Sequence, residues 1–195
     1  MTFELNRRRF IQSASGTAAT LAAAQAIPGV FAADSSRLET LNVALIGCGG
    51  IMTHHLKGLV SRREAVSISW LCDVDPAQID RIAKNMVGFQ SKSARRTSKF
   101  QDVLADPNVD AVIIATPHHW HAPIAINAMV EGKDVYLEKP ISHVYNEGHA
   151  IIRAAKKYKR VVQQGSQMRN SPVTDRAGKL LADGAIGEIK IAKAW

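Results

Sequence analysis

From residue 41 onward, short apolar runs alternate with longer stretches in which apolar residues recur every three or four positions. The runs fall at residues 41–46, 66–72, 109–115, 134–137 and 161–163. Each stops at a polar, Gly- or Pro-containing step: Gly47, Asp73, Thr116-Pro117, Glu138-Lys139-Pro140 and Gln164-Gly165. A brief, nearly continuous apolar run bounded by such residues reads as a strand covered on both faces. The intervening periodic stretches predict helices at 54–60, 76–85, 100–105, 121–131 and 146–158. Asp75-Pro76 supplies a cap and first turn for one of them, and Gly132 closes another. Strand and helix alternating at this rhythm predict an α/β fold with a doubly wound parallel sheet over residues 40–165.

Beyond that unit the pattern changes. A helix is expected over 171–184, leaving through Gly184 and Gly187, and residues 188–195 have the composition of one more strand. A lone strand cannot bury its faces, so residues 166–195 read as the start of an incomplete α+β substrate and oligomerisation domain, and the sequence as C-terminally truncated. On that expectation the 195-residue chain binds its ligand weakly and turns over little, and a homo-oligomer is expected only where the second domain is present.

The first 33 residues are written differently. Arg7-Arg8-Arg9-Phe10 is followed by an Ala-rich apolar stretch broken by Pro28-Gly29, and Val30-Phe31-Ala32 offers a small-residue cleavage site. Charged, apolar and cleavage regions in this order read as an export signal. It resembles a twin-arginine signal, with Asn6 and Gln12 departing from the usual pattern, and predicts cleavage after Ala32 and a periplasmic product. The apolar stretch is shorter than the roughly 20 residues of a bilayer span, so no stable membrane span is expected after cleavage.

Charge and cysteine content then narrow the field. The chain carries a formal net charge of +8, of which Glu4 and the three arginines of the N-terminal segment contribute +2. The remaining basic residues form scattered pairs such as Arg62-Arg63 and Arg95-Arg96 without interleaved aromatics. That is a solvated surface rather than a nucleic-acid platform. Cys48 and Cys72 are the only cysteines and form no CxxC. Structural zinc is therefore not expected, and two small buried thiols are favoured over a disulfide. His118-His119-Trp120-His121 has the look of a metal cluster, but adjacent histidines in a strand-end loop share one metal poorly, and no metal is expected.

The candidate chemistry lies at the ends of the runs. The first strand ends in Gly47-Cys48-Gly49-Gly50-Ile51, a helix follows, and the second strand ends in Asp73. This is the order of a mononucleotide-binding βαβ unit. Gly47 permits the tight turn, and Gly49 lets backbone approach a pyrophosphate. The next helix N-terminus, with Gly50 and Ile51, presents amides to the phosphates. Asp73 can accept from both ribose hydroxyls and would repel a 2′-phosphate, which favours NAD over NADP. Met52 stands where a third glycine is usual, so a slightly displaced helix is expected.

These residues, together with Ala115-Thr116-Pro117, His121 and above all Glu138-Lys139-Pro140 after Gly132-Lys133, resemble the glucose-fructose oxidoreductase, inositol dehydrogenase and rhizopine-catabolism family (Gfo/Idh/MocA). The resemblance runs from about Leu41 to the C-terminus, and exported members with a twin-arginine signal are a common arrangement. It implies a Rossmann domain and an NAD-dependent oxidoreductase acting on a sugar, polyol or sugar derivative. Lys139 would be the catalytic residue, between nicotinamide and substrate. Thr116, Pro117, His121, Glu138, Lys139 and Gln164 would join Gly47, Gly49, Gly50, Ile51 and Asp73 in binding the cofactor, and Trp120 would line the cleft. Pro140 would follow a cis peptide bond, and Gln167 and Arg169 would be further contacts. Two other readings stay open: an NAD-dependent glycoside hydrolase of the same fold family, which Lys139 tilts against, and a non-catalytic dinucleotide-binding remnant.

Overall fold

The computed structural model describes residues 40–193. The export signal read at 1–33 lies outside the described residues. Six strands form one parallel sheet: β1 (Leu41–Ile46), β2 (Val66–Cys72), β3 (Arg95–Thr97), β4 (Ala111–Ile114), β5 (Asp134–Leu137) and β6 (Val162–Gln164). Their spatial order is β3-β2-β1-β4-β5-β6, and every pairing is parallel. The helices are α1 (Gly50–Val60), α2 (Pro76–Asn85), α3 (Phe100–Leu104), α4 (His121–Val130), α5 (Tyr145–Tyr158) and α6 (Pro172–Ala182). This is the doubly wound Rossmann architecture that the alternation of runs predicts, with the chain reversing its direction of travel between β1 and β4.

Side-chain alternation along the strands divides the core into two layers. Val43 and Leu45 pack with Met52 and Leu56 of α1 and Ile79 and Ile82 of α2. Ala44 and Ile46 face the other way, with Val112, Ile114, Ile124, Met129 and Ile151 beneath α4 and α5. Cys48 and Cys72 are free, buried thiols, as expected. Met52 is fully buried, so the side chain standing in place of the third glycine is absorbed into the layer under α1.

The helix starts follow local chemistry. Asp75 caps α2 by accepting from the Ala77 amide at 2.9 Å, with Pro76 in the first turn. Glu147 reaches back from α5 to accept from the Val144 and His143 amides, which holds its carboxyl below the usual range. Gly132 follows α4 with φ +75°, as its C-cap role requires.

Three expectations need correction. The strand β3 is a polar triplet, Arg95-Arg96-Thr97, at the sheet edge beside Trp70–Cys72, and no apolar run announces it. The first helix begins at Gly50 rather than at His54, because Gly49 itself is the N-cap. Residues 188–193 form no strand and pair with neither edge of the sheet.

Candidate dinucleotide site

Beyond the carboxyl ends of β1, β2 and β4 lies a cleft of about 430 Å³, within the range of about 300–1,000 Å³ usual for cofactor sites. It is lined by Gly47, Gly49, Asp73, Thr116 and Pro117, with Trp120 and Phe100 closing one wall.

The glycines serve different purposes. Gly47 has φ +86°, and a Cβ built on it would meet the backbone of Ala115 and Thr116 at 2.7 Å. Glycine is therefore required where β1 passes β4. At Gly49 a Cβ would meet nothing within 4 Å. Open space there faces the cleft and leaves room for a ligand's phosphates. The Gly50 and Ile51 amides that open α1 have no intrahelical acceptor, and no acidic residue in that turn competes for them. Gly50 and Ile51 contribute as the first residues of this helix and do not line the cleft.

Asp73 is held by both carboxylate oxygens. Oδ2 accepts from the Cys48 amide at 2.6 Å, and Oδ1 accepts from the Asp75 amide at 2.9 Å. The residue thus joins the glycine loop to the end of β2. A carboxylate offers about four acceptor positions, so each oxygen keeps capacity for a ribose hydroxyl. Arg81 of α2 donates to the Cys48 carbonyl at 2.6 Å and ties the loop from the other side. Burial, with Asp73 nearby, pushes the Cys48 thiol up to about 12, and Cys72 behaves alike.

The residues present fit NAD. Thr116 Oγ1 is buried on the cleft wall without a hydrogen-bond partner among the described residues, an orphaned polar atom of the kind that a ligand satisfies. The space at Gly49, the α1 N-terminus and the spare acceptors of Asp73 supply the rest.

The structure gives three predicted residues other places. His121 is buried, with Nδ1 2.6 Å from the Pro140 carbonyl and Nε2 2.9 Å from the Thr116 carbonyl. It ties the end of β4 to the segment after β5 and does not line the cleft. Glu138 is likewise buried, its oxygens taken by His55 and by the Lys139 amide. Gln164 is exposed at the end of β6. Lys139 is exposed, precedes a cis bond to Pro140, and its ammonium has no hydrogen-bond partner among the described residues.

Ser98, Lys99 and Phe100 also line the cleft, yet no local pattern in the sequence marks them. They follow β3, and without that strand nothing places them at the sheet's carboxyl edge. His55 is missed too, although Met52, His55 and Leu56 share one helix face by spacing.

Sheet order, cleft and glycine loop together define a dinucleotide-binding Rossmann protein. Residues 41–166 match the model of the Gfo/Idh/MocA family, described as an oxidoreductase family with an NAD-binding Rossmann fold, and the chain belongs to this family. It is 33% identical over 173 residues to a glycosyl hydrolase family 109 protein of Shewanella pealeana, covering 79% of this chain and 38% of that protein. Among solved structures it is similar to myo-inositol 2-dehydrogenase of Lactobacillus plantarum, with a TM-score of 0.67, 28% identity, and coverage of 77% and 43% of the two chains. The WlbA dehydrogenase of Chromobacterium violaceum, solved with NADH and UDP-GlcNAcA, gives a TM-score of 0.66 and 26% identity, covering 74% and 40%. The chain thus spans about two fifths of the length of the relatives that it matches.

Proposed function

We propose that this chain carries the NAD-binding half of an oxidoreductase that acts on a secondary alcohol or anomeric carbon of a sugar, polyol or sugar derivative. The observation that carries the reading is the cleft itself. Gly47, Gly49, Asp73 and the unpartnered Thr116 hydroxyl converge there on one side of the β1–β4 switch point. Bound there, NAD would supply the acceptor for a hydride from the carbinol carbon.

The chain's own residues bind and orient. The α1 amides and the space at Gly49 hold the pyrophosphate, and Asp73 holds the adenosine ribose and disfavours a 2′-phosphate. Lys139 projects an unpaired ammonium from the end of β5. In this reading it hydrogen-bonds the reacting hydroxyl and takes part in moving the hydroxyl proton to solvent as the hydride leaves.

The Shewanella relative supports a second reading, an NAD-dependent glycoside hydrolase, in which transient oxidation of the sugar labilises the glycosidic bond and NAD is regenerated. One experiment separates the two. The protein is supplied with NAD and a panel of sugars, polyols and nitrophenyl glycosides, and absorbance is followed at the NADH and nitrophenolate wavelengths. Slow net NADH formation, in keeping with a chain that carries the cofactor half, and its loss in Lys139→Ala are the expected results. Nitrophenolate release without net NADH would select the hydrolase, and failure of NADH to bind would remove both. The Arg7-Arg8 segment further supports an exported, periplasmic protein, tested by whether the N-terminus of the secreted form begins after Ala32.

A further inference from the structure

A polar cluster around the buried Glu138 lies outside the cleft, at the carboxyl ends of β5 and β6. We propose that His55 is a positioning residue. It fixes the Glu138 carboxylate, which fixes the Lys139 amide, so that Lys139 leaves the sheet in one orientation. The proposal rests on the reading of this chain as an NAD-binding oxidoreductase half.

Glu138 is 5% exposed, and among the described residues no Lys or Arg pairs with its carboxylate. A buried carboxylate without donors is costly, and only two donors serve this one. His55 Nε2 lies 2.8 Å from Oε1, and the Lys139 amide donates to Oε2 at 3.0 Å. A carboxylate only accepts, so the proton of this contact sits on His55 Nε2.

The imidazole is fixed in turn. The Tyr136 ring packs edge-on against it at 5.0 Å. A Cβ at Gly165 would fall 2.7 Å from the Tyr136 hydroxyl and 3.2 Å from Glu138 Oε1, so that position stays free of a side chain and the cluster keeps its place. Neither His55 nor Glu138 lines the dinucleotide cleft. Their polar atoms serve each other and the backbone of Lys139. The arrangement also joins α1, whose N-terminus faces the phosphate end of the site, to the residue proposed to meet the reacting group.

The test uses the full chain and four variants: His55→Leu, His55→Gln, Glu138→Gln, and His55→Leu with Glu138→Gln. NADH binding is read by fluorescence, and thermal melting is recorded alongside. With Lys139 placed between nicotinamide and substrate, loss of the hydrogen bond that holds its orientation predicts that His55→Leu binds NADH about tenfold or more weakly. His55→Gln keeps an amide N–H for the carboxylate and should return to within about threefold of wild type. The double variant should bind no more weakly than its weaker parent, since both changes break one link. Wild-type affinity in His55→Leu, or equal loss in His55→Leu and His55→Gln with matching drops in melting temperature, overturns the proposal. Failure of the wild-type chain to bind NADH overturns the underlying reading as well, which is a separate and visible result.

Discussion

At Gly47 the chain leaves β1 with φ +86° and passes within contact of the Ala115–Thr116 peptide. Both constraints act on one hydrogen atom. Gly47→Ala combines left-handed strain with a backbone collision, so a loss of at least about 2 kcal/mol is expected. NADH affinity should fall with it; urea unfolding and an NADH titration would check the pair. Nearby, Cys48 and Cys72 have thiols pushed up to about 12 by burial, with Asp73 adding to the effect. Near neutral pH both thiols therefore stay protonated, so both should resist a thiol reagent in the folded protein and react once urea unfolds it. The sign with pH follows. The folded chain holds these protons more tightly than the unfolded one, so stability should fall as pH climbs above the ordinary thiol range toward about 12. Rapid labelling of the native protein would refute the burial of the pair.

At the scale of elements, Asp73 joins three of them. It closes β2, accepts from the glycine loop at Cys48, and accepts from Asp75, which caps α2. Asp73→Asn removes the charge and one acceptor while keeping the shape. NADH should bind about tenfold more weakly, because the lost bonds are charge-assisted, and discrimination against NADPH should narrow. Parallel titrations with the two nucleotides check it, and an unchanged preference would place cofactor selection elsewhere. The place of Asp73, Gly47 and Gly49 at the cleft was readable in the sequence because each lies within a few residues of a strand end that the apolar pattern marks. What escaped reading depends on pairing. Arg95-Arg96-Thr97 becomes a strand only because Trp70–Cys72 offers an edge, and a charged three-residue edge strand carries no apolar signature. With β3 unseen, Ser98, Lys99 and Phe100 could not be placed at the cleft. His55 and Glu138 lie 83 positions apart, a contact that no local pattern encodes. His121 was read as a cofactor residue from its place in a motif, yet both ring nitrogens meet carbonyls that only the folded chain brings to it.

For the molecule as a whole, charge and topology act together. The sheet gathers the glycine loop, Asp73 and Thr116 at one edge, while the chain carries a formal net charge of +8, of which the N-terminal segment contributes only +2. A dinucleotide carries a doubly charged pyrophosphate, so the field of the chain should draw it toward the protein before any specific contact forms. Contacts made after docking are short and partly desolvated, and salt screens them far less than it screens the approach. Raising ionic strength from about 10 mM to about 500 mM shortens the screening length from roughly 30 Å to a few ångströms. The NADH association rate measured by stopped-flow fluorescence should therefore fall severalfold over that range, while the dissociation rate changes little. An association rate that is flat with salt would mean that the basic surface plays no part in capture. A dissociation rate that rises as steeply as association falls would mean that binding rests on exposed ion pairs rather than on the glycine loop, the α1 amides and Asp73.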